Sequence, residues 1–210
     1  MLELLKFVFI NHSRLALHSA LLFGVGLFAA VPVVRYKLSA VGWLPRRIFE
    51  IVLRFMGRRP VFWRVAGVIW LYNSAVMLLF LASGFHPLLP KLFAVWTGLN
   101  VGIVGVETSK NNGWMAGRMT EISETGWQPP ASLAPVCGLL VFVLELPCFW
   151  YTLAMGIRLG HMAQKGDSYA RLFGERAEAY FALIFPLLLV SAILETIAIR
   201  GGPPSPAGAQ

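Results

Sequence analysis

Residues 131–160 read ASLAPVCGLLVFVLELPCFWYTLAMGIRLG, an apolar stretch with one acid, Glu145, one base, Arg158, and a proline, Pro147, two positions after the acid. A helix needs about 20 predominantly apolar residues to cross roughly 30 Å of hydrocarbon, so this stretch is longer than one crossing requires. Proline removes a backbone donor and pushes the preceding residue away from helical geometry. The segment is therefore read as broken at Pro147, either one kinked helix or a re-entrant pair of half-helices. Non-helical backbone at that depth has to be covered by protein.

Four further stretches meet the same length requirement: Leu15 to Val34, Val65 to Gly84, Leu88 to Val106 and Glu178 to Ile199. Of the 210 residues, 57% are hydrophobic and 13% charged, where an ordinary soluble domain is roughly half apolar and about a quarter charged. The expected fold is an all-α polytopic membrane helix bundle of about five spans, a single domain over residues 1–200. Disordered, collagen-like and disulfide-scaffold classes do not fit this composition with its two cysteines. The first apolar segment is too long for a signal-peptide core, and Phe28-Ala29-Ala30 puts a bulky residue where cleavage wants a small one, so it reads as a retained span. The tail 201–210 is uncharged Gly, Pro, Ala, Ser and Gln and reads as disordered.

Lys and Arg number 18 against 10 acids, and Arg35, Lys37, Arg46, Arg47, Arg54, Arg58, Arg59 and Arg64 all fall between the first two spans. The positive-inside rule makes this basic loop, 35–64, cytoplasmic in a multi-pass protein of the cytoplasmic (inner) membrane. The loop with Lys110 and Arg118 returns to the same side. A re-entrant 131–160 keeps Arg158, Lys165, Arg171 and Arg176 there too, whereas a single crossing leaves only Arg200 in their place; the charge balance slightly favours re-entry. Within the basic loop, residues 44–58 place Leu44, Ile48, Ile51, Val52 and Phe55 on one helical face with Arg47, Glu50, Arg54 and Arg58 off it. That pattern suits an amphipathic helix lying on anionic headgroups, or else a solvated loop helix. The lipid bilayer accounts for the positive charge, so nucleic acid is not an expected partner.

An ionised carboxylate in hydrocarbon is costly, and intramembrane acids usually face the bundle interior. Glu145 and Glu195 are the two acids so placed, with Asn73, Asn100 and Arg158 as polar companions. They form either a functional site or internal ties that fix helix packing. Gly98-x-x-x-Gly102 and Gly156-x-x-x-Gly160 are spacings that let helix backbones approach closely. His12, His18, His86 and His161 show no metal-ligand spacing, and no catalytic triad, nucleotide loop or metal cluster is visible, so neither metal, cofactor nor enzyme activity is expected. His18, inside a span, is a packing histidine or a tetrapyrrole ligand.

The run Val143-Leu144-Glu145-Leu146-Pro147, continuing to Gly156-Ile157-Arg158-Leu159-Gly160, resembles the glutamate-leucine-proline segment of the stage II sporulation protein M family. The ending from Leu187 to Glu195 is similar to that family's closing acidic span. Asn73 and Asn100 fall near family asparagines, but Val141 and Phe142 replace its histidine-glycine pair and Val101 replaces a glycine. The resemblance implies a non-enzymatic scaffold or subunit of a membrane protein complex, which in spore formers works in engulfment with cell-wall hydrolases. Its expected partners are other membrane or envelope proteins, or further copies of itself. The rival readings are a transporter or permease subunit with a mid-membrane site around Glu145, and an accessory subunit of a pigment or redox complex using His18.

Overall fold

The computed structural model describes residues 6–57, 60–108 and 127–201, and among them every regular element is a helix. A π-helical turn, Lys6–Ile10, precedes α1 (Ser13–Arg35). Then follow α2 (Ser39–Met56), α3 (Phe62–Ala82) with a 3₁₀ turn Ser83–Phe85, α4 (Leu88–Thr108) and α5 (Leu133–Ala163). The last helix is continuous from Tyr169 to Arg200, built from α6 (Tyr169–Ala179), a π-helical turn Tyr180–Ile184 and α7 (Phe185–Arg200). Five helices, α1, α3, α4, α5 and the joined α6–α7, are long and apolar enough to cross a membrane. The segment with Lys110 and Arg118, the pair Arg58-Arg59 and the expected tail beyond Gly201 lie outside the described residues.

The break expected at Pro147 is not there. The proline sits inside an unbroken 31-residue α5, and the contacts at its two ends show a single passage through the bundle. At one end Arg158 Nη1 donates to Asn11 O at 2.7 Å, Tyr169 Oη donates to Ala82 O at 2.6 Å, and Gly160 lies against Pro87. At the other, Arg200 donates through Nη2 to Pro60 O at 2.6 Å and through Nη1 to Trp127 O at 3.3 Å, while Gly201 lies against Ala134 and Pro129. Keeping the helix through Pro147 costs about 3 kcal/mol. Breaking it would strip several backbone groups of partners in a medium without water, at several kcal/mol each. The re-entrant alternative loses, and Arg158, Lys165, Arg171 and Arg176 are carried to the end opposite the basic loop.

The final span is longer than the sequence suggested, because Leu172, Arg176 and Ala179 form a buried stripe that extends the helix back to Tyr169. Its wide turn lies just before Pro186, whose missing N–H leaves a gap in the α-helical ladder. Trp70 Nε1 donates to Phe185 O at 3.1 Å beside this gap.

Lipid tails are as apolar as leucine, so membrane helices associate through close packing rather than through a hydrophobic drive. The most extensive helix pair is α1 with α4, which run parallel. Gly26 on α1 packs on the backbone of Val95 and Leu99, and Gly98 and Gly102 on α4 pack on Phe23, Leu27 and Ala30. Gly156 and Gly160 on α5 do the same for the α3–α4 connection, meeting Phe80 O, Gly84 O and Pro87. Around the outside, Leu17, Leu21, Val25 and Phe28 of α1 and Val136, Leu139, Leu140 and Val143 of α5 are exposed, forming the apolar surface that a bilayer would cover.

Helix α2 carries two apolar faces where the sequence reading saw one. Leu53 and Met56 pack on Val65, Ile69 and Ala192, with Phe49 and Val52 partly buried beside them. Leu44, Ile51 and Phe55 remain exposed, Phe55 at 67%. Glu50 pairs with Arg47 at 3.1 Å on a third, polar face. The side chain of Arg200, only 2% exposed, closes the bundle beneath α2 and α3, with its guanidinium 5.9 Å from the Phe62 ring centroid.

Candidate functional site

Glu145 lies on α5 where that helix meets α3 and α7. Asn73 on α3 donates Nδ2–H to Glu145 Oε1 at 3.0 Å, and Ser191 on α7 donates Oγ–H to Glu145 Oε2 at 3.1 Å. One carboxylate therefore ties three spans. Glu195 follows Ser191 by one turn of α7, close enough to Glu145 for the two carboxylates to interact electrostatically. Other polar groups continue along the seam. The Thr152 hydroxyl donates to Cys148 O at 2.7 Å, and Tyr180 Oη donates to Ser74 O at 3.0 Å, both buried.

The chain placed these groups by simple periodicity. Glu145, Cys148 and Thr152 recur at three and four residues on α5, and Ser191 and Glu195 at four on α7, so each set shares one helix face. The apolar residues packed against the same seam include Met77, Phe149, Leu153 and Leu188, all buried. In such surroundings a hydrogen bond between helices contributes about 1 kcal/mol.

Of the five polar residues singled out in the sequence, the structure thus brings together Asn73, Glu145 and Glu195. Arg158 is elsewhere: it lies 13 residues beyond Glu145 on α5, about 20 Å along the helix, and donates Nη1–H to Asn11 O. Asn100 is on α4, and its buried Oδ1 has no hydrogen-bond partner. His18 is exposed on the bundle exterior. Among the described residues, no three His, Cys, Asp or Glu side chains gather as a metal-ligand group. Cys137 and Cys148 are both buried free thiols.

Sequence reading missed Ser191, a small hydroxyl in an apolar run whose one signal is its place four residues before Glu195. It also missed a second polar cluster, at the end opposite the basic loop. There His12 and Arg176 are 1% and 2% exposed. His12 Nδ1–H donates to Phe7 O at 2.7 Å. Burial pushes the His12 imidazole down from 6.5 to about 4, opposed by the bond to Phe7 O and reinforced by the positive charges of Arg158 and Arg176. The ring is thus neutral in the folded protein and protonates on unfolding at any pH below 6.5. Stability is expected to fall as pH drops from about 6.5 towards 4, by about 3 kcal/mol over the window. Thermal melts of the wild type and His12→Gln across pH 4–8 check this: the variant should lose that part of the slope, and parallel profiles would refute it.

Comparison with family models, with curated proteins and with solved structures finds no match to this chain.

Proposed function

We propose that this multi-pass chain is a non-enzymatic scaffold or subunit of a membrane protein complex. The observation that carries the reading is the state of Glu145: both carboxylate oxygens are occupied by donors from neighbouring helices, so the central polar group is used in tying α3, α5 and α7 together. A rigid bundle with an apolar exterior suits presentation of helix faces to other membrane proteins. The likeness of Val143–Pro147 and Leu187–Glu195 to the stage II sporulation protein M family supports the same reading, with envelope proteins such as cell-wall hydrolases as the class of partner.

The orientation follows from charge. Arg35, Lys37, Arg46, Arg47, Arg54, Arg64 and Arg200 belong to one end. Under the positive-inside rule that end faces the cytoplasm across the inner membrane. The outward stripe of α2, Leu44, Ile51 and Phe55, with Arg47 and Arg54 beside it, is suited to rest among anionic headgroups.

A second reading rests on Glu195. Two carboxylates facing each other inside a bundle are suited to hold a proton or a small cation, as a transporter requires. One experiment separates the two. Tagged protein is extracted from its native membrane in mild detergent, its partners are identified by mass spectrometry, and Glu145→Gln is treated alike and also reconstituted in liposomes. A scaffold retains a fixed partner set in both forms. Absence of enrichment over an unrelated tagged membrane protein, or a proton flux that Glu145→Gln abolishes, would overturn the scaffold assignment.

A further inference from the structure

The cluster at the end opposite the basic loop has a composition that the bundle itself does not explain. Arg158 and Met162 are four residues apart and share one face of α5. Arg176 Nη2 meets Met162 Sδ at 3.2 Å, and Arg158 Nη1 donates to Asn11 O, next to His12. Two guanidiniums and an imidazole thus converge where the segment Lys6–His12 crosses the ends of α5 and α6. The two guanidinium charges act on each other and disfavour protonation of the imidazole.

This positive charge is poorly balanced. Arg158 has no ion pair among the described residues, and Arg176 has only Glu175, at 3.9 Å, whose side chain is 54% exposed and turned to water. Arg176 Nε and His12 Nε2 are buried without any hydrogen-bond partner. A buried charge without a nearby anion costs several kcal/mol, so the folded site favours an incoming anion. His12 serves as a donor to it only when its ring is protonated, because its Nδ1–H is held by Phe7 O; the guanidiniums donate at any pH.

Position says where the anion comes from. Arg158 is half-buried and five residues from the end of α5. A 31-residue helix is about 46 Å long, against roughly 30 Å of hydrocarbon, so its last turns lie at headgroup depth. A planar guanidinium fork matches phosphate oxygens in geometry and charge. We propose that Arg158, backed by Arg176 and the Lys6–His12 segment, binds the phosphate group of a membrane phospholipid at the bundle end opposite the basic loop.

The test uses the full chain purified in mild detergent, with dioleoyl phosphatidylglycerol, dioleoylglycerol or inorganic phosphate added, read by thermal unfolding and native mass spectrometry. Phosphatidylglycerol should stabilise the protein and remain bound, and dioleoylglycerol should do neither. Arg158→Gln should weaken phosphatidylglycerol binding about tenfold, the scale of one charge-assisted hydrogen bond, and Arg158→Lys less. Arg35→Gln, an exposed base at the opposite end of the bundle, should leave it unchanged. Equal binding by wild type and Arg158→Gln, loss of binding in Arg35→Gln instead, or equal stabilisation by dioleoylglycerol would overturn the site. Stabilisation by inorganic phosphate but not by the lipid would overturn the lipid as its source.

Discussion

Gly98→Leu is expected to unfold the α1–α4 pair. A Cβ at this position runs into the Phe23 carbonyl and approaches the backbone of Leu27, and neither helix backbone can yield without separating the parallel pair. Overpacking of a close interface costs about 3 kcal/mol, and here the lost contact is the most extensive in the bundle. Nothing replaces it, because the helices gain no hydrophobic drive from leaving lipid for each other. The measurement is thermal unfolding in detergent with size-exclusion chromatography: the melting temperature should drop by about 10 °C and the monodisperse peak should decline. Gly105→Leu, on the same helix but with open space around its Cβ, and Gly24→Leu on α1 are the controls and should melt like the wild type. A Gly98→Leu protein that matches them would show that the pair is not held by backbone proximity.

Glu145→Ala should loosen three helices at once. It removes both acceptors and leaves the Asn73 amide and the Ser191 hydroxyl without the carboxylate that joins them across the seam. Two interhelical bonds at about 1 kcal/mol each, plus the cost of stranded donors, give a loss of about 2–3 kcal/mol. Glu145→Gln keeps one carbonyl acceptor but turns an amide N–H towards a donor, so it should lose about half as much. Cys148, buried one turn away, is a built-in reporter: its maleimide labelling should rise several-fold in Glu145→Ala and little in Glu145→Gln. In a double-mutant cycle, adding Asn73→Ala to Glu145→Ala should cost almost nothing further, because the bond is already gone. Additive losses would mean that the 3.0 Å contact contributes no coupling.

Much of the architecture could be read directly. Arg14, Arg35, Arg64 and the Phe85-His86-Pro87 turn mark the ends of the first spans within a few residues of the helix limits. The seam was half legible. Glu145, Glu195 and Asn73 stood out because a polar group within 20 apolar residues demands a partner, but the identity of the partner was not encoded locally. Ser191 supplied it, while Asn100, equally conspicuous in sequence, took no part. The burial of two arginines was not legible for a related reason. Near a helix end Arg176 and Arg200 look like solvated charges, and only the folded chain shows that Met162, Pro60 and Trp127 close over them.

By itself the sequence determined that this protein is a bundle of five apolar helices, because the thickness of hydrocarbon is a constraint on consecutive residues that composition alone can meet. Tertiary structure decided the rest: that α5 runs unbroken through Pro147, that α2 has a buried face as well as an outward one, and which polar side chains meet. Those outcomes depend on how each helix is rotated and against which neighbour it lies. That is set by glycine contacts and by backbone groups that have no water to turn to, between residues far apart in the chain.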